Sequence, residues 1–593
     1  MSVAPWVRPE TTAPTRPSVD VILDPPAVSG PADPVGAGEC SPTATRLAWT
    51  LVGFALLSTG VNNWGAWSTW PGFAVVSPCL TLAGVVVMAL AWIVPARRWA
   101  TFELVVFVAS LVAVVAVNAP LLAASSHFST DAAAFNQRAA VLALHGADPY
   151  RVAFHGTGVQ LDPAADYWTY TLNGGHVDHL SYPAGSFLFV VPFVALGLTH
   201  LTTDWVDLAA WLASAVALYL LSPRRVRWLA PLLVLATMFT PLFTFGDTDA
   251  LYVPFLILAA WHRERFVDAT ASRALRWLAP LALGVACSIK QTPWFTVPFF
   301  AMGVGYAAAG GGRRVGPVVA RYLTLVAAPF AVLNLPYALW DARAWLHGVF
   351  LPLRAPLVPD GQGLVSLVTH GVVHVLHPGD LQLAGAVLVA LLVVAYLRWP
   401  DRLERTWLFV LPLVLFVPSR SLSTYLVDFT PAAVAGVLSG GTAPAGPRLS
   451  ARVARPALAA GSLAAVALAV AAFSASPLGV KVDRIVATDH AQFLGPVTLT
   501  LANSGASPLH VHVIAEVGSG HPVGFWRPRT GGGLVAAHTV ERVTFVPPRF
   551  LLSPHRGESW LIEVMSASPA LVVTTPALAW RRGPRVGRAP QLR

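Results

Sequence analysis

Long apolar runs recur along this chain, and they constrain its fold more than any other feature of the sequence. Only short polar links separate many of them. A chain of 593 residues that is 55% hydrophobic and 11% charged cannot bury so much apolar surface in water, so lipid must solvate much of it. We therefore predict an all-α polytopic membrane region. The runs lie at 46–66, 74–96, 101–126, 182–200, 203–222, 228–245, 250–262, 276–289, 292–309, 321–340, 364–377, 381–397, 406–418, 422–438 and 456–475.

The arginines between the runs give the expected orientation, because basic residues concentrate on the cytoplasmic side of a membrane. They account for the net charge of +10 without any nucleic-acid partner. One topology puts every arginine cluster inside the cell. In it, residues 1–44 form a disordered cytoplasmic tail, residues 182–222 cross once in net, and run 364–377 does not cross. Residues 45–476 then hold about 13 spans. If residues 182–222 crossed the membrane twice, every later segment would be assigned to the opposite side of the membrane.

This topology brings several polar segments to the outer face of the membrane. They are the external loops 127–180 and 341–363, the short link 246–249 and the tripeptide 419–421. Lys290 also falls at the outer edge. We therefore expect these segments to converge on one site.

Beyond the last run, residues 477–580 alternate apolar and polar side chains over short stretches. Examples are 497–505, 509–518, 541–546 and 559–565, which are separated by turn residues. A period of two predicts antiparallel strands, and about 100 residues suit a β-sandwich. We predict an extracytoplasmic β-sandwich domain, followed by a basic C-terminal tail at residues 581–593.

Asp131 is the strongest candidate catalytic residue. It follows the apolar run 101–126 and opens an amphipathic segment, so it lies where a membrane span meets external water. A carboxylate there could act as a general base. Alternatively, Ser129, Thr130 and Asp131 form a cluster typical of a helix N-cap.

Sugar-binding candidates follow in the same external loop. Asp148 and Tyr150 end the amphipathic segment and could contact a sugar or fix the turn. His176, His179 and Tyr182 belong to an aromatic, polar stretch whose composition suits a carbohydrate site or a membrane-interface belt. The histidines and Asp178 match no sharp metal-ligand spacing, so we predict no metal or other cofactor.

Cations and acids near the membrane surface complete the candidate set. Lys290, Arg354 and Arg420 are candidates for binding a donor phosphate, which arginine contacts with two parallel hydrogen bonds. Gln291 follows Lys290 and is a candidate for sugar binding. Asp247 and Asp249 could hold a sugar hydroxyl or a cation, although Asp249 could equally cap the next helix.

Four stretches together resemble the GT-C superfamily of membrane glycosyltransferases, and most closely the bacterial polyprenol-phosphate-mannose-dependent mannosyltransferases. They are TDAAAFNQRAAVLALHGADPY (130–150), SYPAGSFLFVVPF (181–193), FGDTDALYVPFLILAAW (245–261) and GVACSIKQTPWFTVPFF (284–300). The chain departs from the family pattern at Ala184, where a second proline often stands. It also departs in the three runs that precede Asp131, where many relatives have one.

The resemblance implies a plasma-membrane enzyme that moves mannose or a related sugar from a polyprenyl-phosphate donor. The acceptor would be a hydroxyl of a cell-envelope glycan or glycolipid, and the transfer would invert the anomeric centre. Asp131 matches the position of the family's base. Two other hypotheses stay open, namely a transporter or flippase of lipid-linked sugars and a non-catalytic envelope scaffold. The chain has no Walker-A loop, which argues against an ATP-driven pump.

Overall fold

A computed structural model gives the fold of most of the chain. It describes residues 23–24, 42–63, 72–126, 128, 130–154, 168–236, 248–404, 406–422, 424–439, 448–487, 494–517, 521–522, 524–529, 533–548 and 559–579. Nearly all of the predicted N-terminal tail and the whole of the predicted basic tail at 581–593 lie outside these residues, as does Asp247.

The described part of the chain is rich in helix up to residue 471, as the apolar runs predict. In chain order the helices are α1 (Pro42–Asn62), α2 (Phe73–Ile93), α3 (Trp99–Ala124), α4 (Asp131–Leu144), α5 (Gly185–Leu188), α6 (Val191–Ala195), α7 (Thr202–Leu221), α8 (Leu229–Ala236), α9 (Asp249–Ala260), α10 (Arg273–Ile289), α11 (Val297–Gly310), α12 (Val315–Trp340), α13 (Ala342–Val349), α14 (Leu351–Arg354), α15 (Ser366–Thr369), α16 (Pro378–Arg398), α17 (Pro400–Leu403), α18 (Trp407–Leu415), α19 (Thr424–Leu438) and α20 (Ala451–Ala471).

Seven of the helices in the described residues are long and apolar enough to cross a membrane, by length and composition: α1, α2, α3, α7, α12, α16 and α20. The sequence predicts about 13 spans, and the difference lies in helices that are too short. Helix α9, for example, has 12 residues. At about 1.5 Å per residue it covers about 18 Å of a hydrocarbon core that is about 30 Å thick. Such a helix is stable in a membrane only when protein surrounds it, and Tyr252, Val253 and Leu256 of α9 are fully buried.

Two further runs form no long helix. Residues 182–200 form only the short helices α5 and α6 before the long helix α7. Run 364–377 contains the four-residue helix α15 and a two-residue strand, so it holds no continuous helix.

Small residues allow helices to pack closely. Helices α1 and α2 pack so tightly that a Cβ atom added at Gly84 would lie 2.4 Å from the backbone nitrogen of Leu57. Glycine therefore lets the two backbones approach, which is how membrane helices commonly gain van der Waals contact.

Strands dominate the chain after α20. In chain order the strands are β1 (Leu23–Asp24), β2 (Asp360–Gly361), β3 (Val375–Leu376), β4 (Arg420–Ser421), β5 (Arg448–Leu449), β6 (Leu478–Ala487), β7 (Leu494–Asn503), β8 (Leu509–His510), β9 (His512–Val517), β10 (His521–Pro522), β11 (Arg527–Pro528), β12 (Leu534–Val535), β13 (Thr539–Val546), β14 (Ser559–Ala567), β15 (Ala570–Thr574) and β16 (Leu578–Ala579). We call the part from β6 to β16 the C-terminal β region.

Two sheets make up most of this region. One has the strand order β11-β13-β7-β6, and the other runs β10-β9-β14-β15-β3 with β16 beside β14. Their apolar side chains share one core, to which Leu499 of β7 and Val564 of β14 belong. The period of two explains this, since Val497, Leu499 and Leu501 are buried while the threonines between them are not. The strands predicted from the alternation are therefore confirmed.

The C-terminal β region packs against loops of the helical part. Strand β3, which precedes α16, pairs with β15 through Leu376 and Val572. Beneath this contact, a second apolar core joins the loops to the outer face of the sheet that contains β9, β14 and β15. Its buried members are Tyr170, Leu172, Val358, Val365, Val368, Leu376, Leu381, Ala472, Ile514, Met565 and Val572. Within the predicted N-terminal tail, strand β1 pairs with β5.

Candidate functional site

A cavity of about 610 Å³ lies where the loops between the helices meet. Segments that are far apart in sequence line it, including Thr130–Ala132, Trp168–Tyr170, Lys290–Thr292 and the turn before Arg420. The predicted topology places all four of these segments at one external site. The cavity therefore brings together Asp131, Lys290 and Arg420, three of the four residues assigned to catalysis or phosphate binding.

Asp131 is the first residue of α4, and its side chain is only 7% exposed. The capping oxygen of this helix belongs to Thr130, whose hydroxyl accepts the Ala133 N–H at 3.1 Å. The Asp131 carboxylate instead accepts the Thr169 N–H at 2.7 Å. The capping role considered for this cluster thus belongs to Thr130, and the carboxylate of Asp131 is left to line the cavity.

Burial raises the pKa of Asp131, and the Thr169 hydrogen bond and the nearby charge of Arg420 act in the opposite direction. A carboxylate with a raised pKa is a stronger base than an exposed one. Asp131 is thus suited to accept a proton inside the cavity.

Arg420 lies in β4, which pairs in parallel with β2. Its guanidinium donates a hydrogen bond to the Val358 carbonyl at 3.2 Å and lies 3.7 Å from the Asp360 carboxylate. A separation of 3.7 Å is longer than a charge-assisted hydrogen bond. Arg420 is therefore held in place by weak contacts, and its charge faces the cavity beside Asp131.

Lys290 has a much closer partner. Its Nζ lies 2.6 Å from Oδ1 of Asp249, and both side chains are almost fully buried. It also lies 5.4 Å from the ring centre of Tyr182, within the range of a cation–π contact. Asp249 does not line the cavity, so it serves as the counter-ion of Lys290 rather than as a sugar ligand. An isolated charge in apolar surroundings costs several kcal/mol, which explains the pairing.

Gln291 and Tyr182 line the cavity as predicted for sugar-binding residues. The Gln291 amide donates to the carbonyls of Ser181 at 2.8 Å and Val349 at 2.7 Å. These two bonds tie the loop before α5 to the end of α13. Gln291 therefore has a clear structural role in addition to its place in the cavity wall.

The other predicted residues do not line the cavity. Arg354 is exposed and donates to the carbonyl of His347 at 3.3 Å. His176 is exposed and packs its ring on Trp168, and His179 pairs with Asp178 at 2.6 Å. None of these three side chains lines the cavity, although Leu353 and Val177, which adjoin Arg354 and His176 in sequence, do.

Asp148 and Tyr150 act on the turn in which they lie. The Asp148 carboxylate accepts the Tyr150 N–H at 3.0 Å, and the Tyr150 hydroxyl donates to the Tyr182 carbonyl at 2.8 Å. Burial raises the pKa of both groups. The alternative in which these residues fix the turn therefore describes their contacts, and neither lines the cavity.

Sequence reasoning missed several residues that line the cavity. Asp360 and Gln362 stand in the predicted external loop 341–363, and their polarity beside Gly361 was a usable signal. Gln382 and Tyr425 lie in or beside apolar runs, where nothing distinguishes them from core residues. Thr169 contributes through its backbone N–H, which no side-chain pattern reveals.

The wall of the cavity combines charged and apolar residues. The charged ones are Asp131, Lys290, Asp360 and Arg420. The apolar ones include Phe295, Leu351, Pro352, Leu353, Val389 and Leu415. Leu353 is also 52% exposed on the outer surface, so the apolar wall continues toward the outside of the molecule. Such a cavity suits a ligand that has an anionic head and an apolar tail.

Among the described residues, no group of three or more histidine, cysteine or acidic side chains is arranged to hold a metal ion. No family model matches the chain, and neither a curated protein nor a solved structure matches it. The site must therefore be interpreted from its own geometry.

Proposed function

We propose that this protein is an inverting glycosyltransferase with a GT-C-like architecture. It would move mannose or a related sugar from a polyprenyl-phosphate donor to a hydroxyl of a cell-envelope glycan or glycolipid. The observation that carries the proposal is one cavity whose wall holds a buried carboxylate, two cations and many apolar side chains. The cations suit a lipid phosphate, and the apolar wall suits the beginning of its hydrocarbon chain.

The reaction follows from the charges around the cavity. Asp131 takes the proton of the acceptor hydroxyl while the hydroxyl oxygen bonds to the anomeric carbon. The bond from that carbon to the phosphate oxygen breaks, and polyprenyl phosphate leaves with the electron pair. Arg420 stabilises the charge that grows on the leaving phosphate. Lys290 lines the same cavity and adds a second positive charge there.

The wider architecture belongs to the same proposal. Helices shorter than a full span, such as α9 and α19, complete the crossings where protein surrounds them, which brings the total to about 13. The cavity and the C-terminal β region lie on the external face of the plasma membrane, and the N-terminus is cytoplasmic. The two sheets of the β region form a sandwich, in which the buried Trp526 and Trp560 belong to the core.

The decisive experiment replaces Asp131 by asparagine. Loss of a general base lowers the rate about 10²–10⁴-fold. Transfer is measured in membranes with polyprenyl-phosphate mannose and, separately, polyprenyl-phosphate arabinose as donors. Asp341→Asn is the matched control, because Asp341 starts α13 with a similar cap and lies outside the cavity. Turnover by Asp131→Asn at the rate of that control would remove Asp131 from the mechanism.

One observation favours a second candidate function, a transporter of lipid-linked sugars. Asp204 and Asp207 of α7 and Asp428 of α19 are buried in the membrane helices, and none of them lines the cavity. Acids at such positions often belong to a transport path. Movement of a fluorescent polyprenyl-phosphate sugar across proteoliposomes, without transfer to any acceptor, would support this candidate over the enzyme.

A further inference from the structure

Two short backbone segments run side by side along the cavity. Val358 donates its N–H to the Tyr170 carbonyl at 2.9 Å, and Thr171 is bridged to Leu357. We call this pair of segments, residues 168–171 and 357–358, the ribbon. It joins the first external loop to the loop that follows α14.

Each segment of the ribbon holds one charged residue of the cavity. On the first, the Thr169 N–H donates to the Asp131 carboxylate at 2.7 Å. On the second, the Val358 carbonyl accepts from the Arg420 guanidinium at 3.2 Å. The distance between the base and the cation thus depends on two adjacent backbone groups, and any shift of the ribbon changes it.

The C-terminal β region contacts the ribbon at Tyr170. The Tyr170 hydroxyl accepts the Gly524 N–H at 3.1 Å, and its ring packs edge-on against Phe525 at 5.2 Å. Tyr170 is 5% exposed and also lines the cavity. Nearby, a Cβ atom at Gly174 would lie 2.2 Å from the His512 ring, so the loop and the sheet are in close contact.

The β region reaches the Arg420 side of the cavity as well. Glu516 of β9 and Glu563 of β14 point to the same outer face of the sheet as Ile514 and Met565, toward the loops. Both glutamates are buried and interact electrostatically with Asp360, the carboxylate beside Arg420. The β region therefore contacts the segment that holds Asp131, and its two buried acids interact electrostatically with the carboxylate beside Arg420.

We propose that the C-terminal β region belongs to the catalytic machinery. By docking on the ribbon, the β region fixes the positions of Asp131 and Arg420. Tyr170 is the positioning residue that carries this contact. The inference rests on the proposed function, and it assigns the β region a task in catalysis.

The first test is Tyr170→Phe, which keeps the ring against Phe525 and removes the hydroxyl that accepts the Gly524 N–H. Loss of one buried hydrogen bond predicts a kcat about 3- to 10-fold lower, with little change in KM for the donor. The pH profile supplies a readout that a purely structural role would not move. A looser Thr169 N–H lowers the pKa of Asp131 less, so the acidic limb of kcat should shift to higher pH.

Thr498→Val is the matched control. Its hydroxyl bonds to that of Thr544 at 2.9 Å in the other sheet, so the variant also loses one hydrogen bond of the β region, but far from the ribbon. It should match the wild type in kcat and in pH profile. Should Tyr170→Phe fail to fold, Phe525→Leu weakens the same contact by reducing the packing on the Tyr170 ring.

Hydrogen exchange separates this inference from the proposed function. If the wild type transfers no sugar, the glycosyltransferase proposal fails, but amide exchange across residues 168–171 still reports the docking. That exchange should be faster in Tyr170→Phe than in the wild type and in Thr498→Val. If amide exchange across the ribbon, kcat and the acidic limb of the pH profile are all unchanged in Tyr170→Phe and Phe525→Leu, the positioning role of Tyr170 is wrong.

Discussion

Asp131 and Asp249 give the same signal in the sequence and have different surroundings in the fold. Each is the first residue of a helix, and each is buried, at 7% and 3% exposure. Asp249 lies 2.6 Å from Lys290, whereas Asp131 accepts a backbone N–H and faces the cavity. An acid that is neutralised by a close cation serves the structure, and one that accepts hydrogen bonds at the wall of a cavity can still exchange a proton.

The largest expected effect is a loss of stability, and it comes from breaking the ion pair between Asp249 and Lys290. Asp249→Asn leaves Lys290 buried without its counter-ion, and removal of one partner of a buried ion pair costs about 3–5 kcal/mol of stability. Asp131→Asn should change stability much less, because asparagine can still accept the Thr169 N–H. Thermal unfolding of the two purified variants in one detergent measures the difference.

A double variant sharpens this result. Asp249→Leu combined with Lys290→Met removes both charges and keeps apolar volume, so most of the stability should return. If Asp249→Asn alone unfolds at the wild-type temperature, the pair is not structural, and the contrast between the two acids disappears.

The second prediction concerns the cation beside Asp131. Arg420→Gln should weaken use of the donor about 10- to 100-fold in kcat/KM, because a hydrogen bond to a charged group contributes more than a neutral one. Arg343→Gln, which changes an exposed arginine of α13 outside the cavity, is the control. Equal kcat/KM for these two variants would exclude Arg420 as the phosphate-binding residue.

The smallest expected effect is on the pH dependence of stability. It comes from Glu516 and Glu563, two buried acids that interact with each other. Burial is the main cause that raises the pKa of both carboxyls above the usual 4.5. The charge of Glu563 raises the pKa of Glu516 further and that of Asp360 raises the pKa of Glu563, whereas the hydrogen bond with Glu516 acts to lower the pKa of Glu563. A raised pKa in the folded state means that the stability is complete below the unfolded-state value and is lost as the pH rises through the folded-state value. The C-terminal β region should therefore unfold at a lower temperature at about pH 9 than at about pH 5.

Glu563→Gln tests this third contrast. The variant should reduce the pH dependence of the unfolding temperature, by an amount on the order of 1 kcal/mol at alkaline pH. Glu541→Gln, on a strand of the other sheet, should leave the dependence intact. A wild-type protein that is equally stable across this pH range would show that the two acids are not strained by their burial.

Much of the fold could be predicted from local patterns. The apolar runs predict helices because lipid leaves no other way to pair every backbone group, and the period of two predicts β7, β13 and β14. The number of spans could not be predicted in the same way. Whether a short run such as α9 crosses a membrane depends on the helices packed around it, which hydropathy does not describe.

The candidate site was predictable only in part. Asp131, Lys290, Gln291, Tyr182 and Arg420 could be selected because polar groups at a bilayer edge are costly and stand out. Arg354, Asp148, Tyr150, His176 and His179 stand out in the same way, yet their side chains turn to solvent or to their own loops. The direction in which a side chain points is set by long-range contacts, such as the hydrogen bond between Gly524 and Tyr170.

The sequence by itself determined that the chain would be a helical membrane protein with a region of strands after it, and that acids and cations would gather at one edge. Solvation decides these properties residue by residue. Only the tertiary structure decided which acid faces Lys290, which one faces the cavity, and what the β region touches. Those are pairings between segments tens or hundreds of residues apart, and their energies exist only once the segments are packed together.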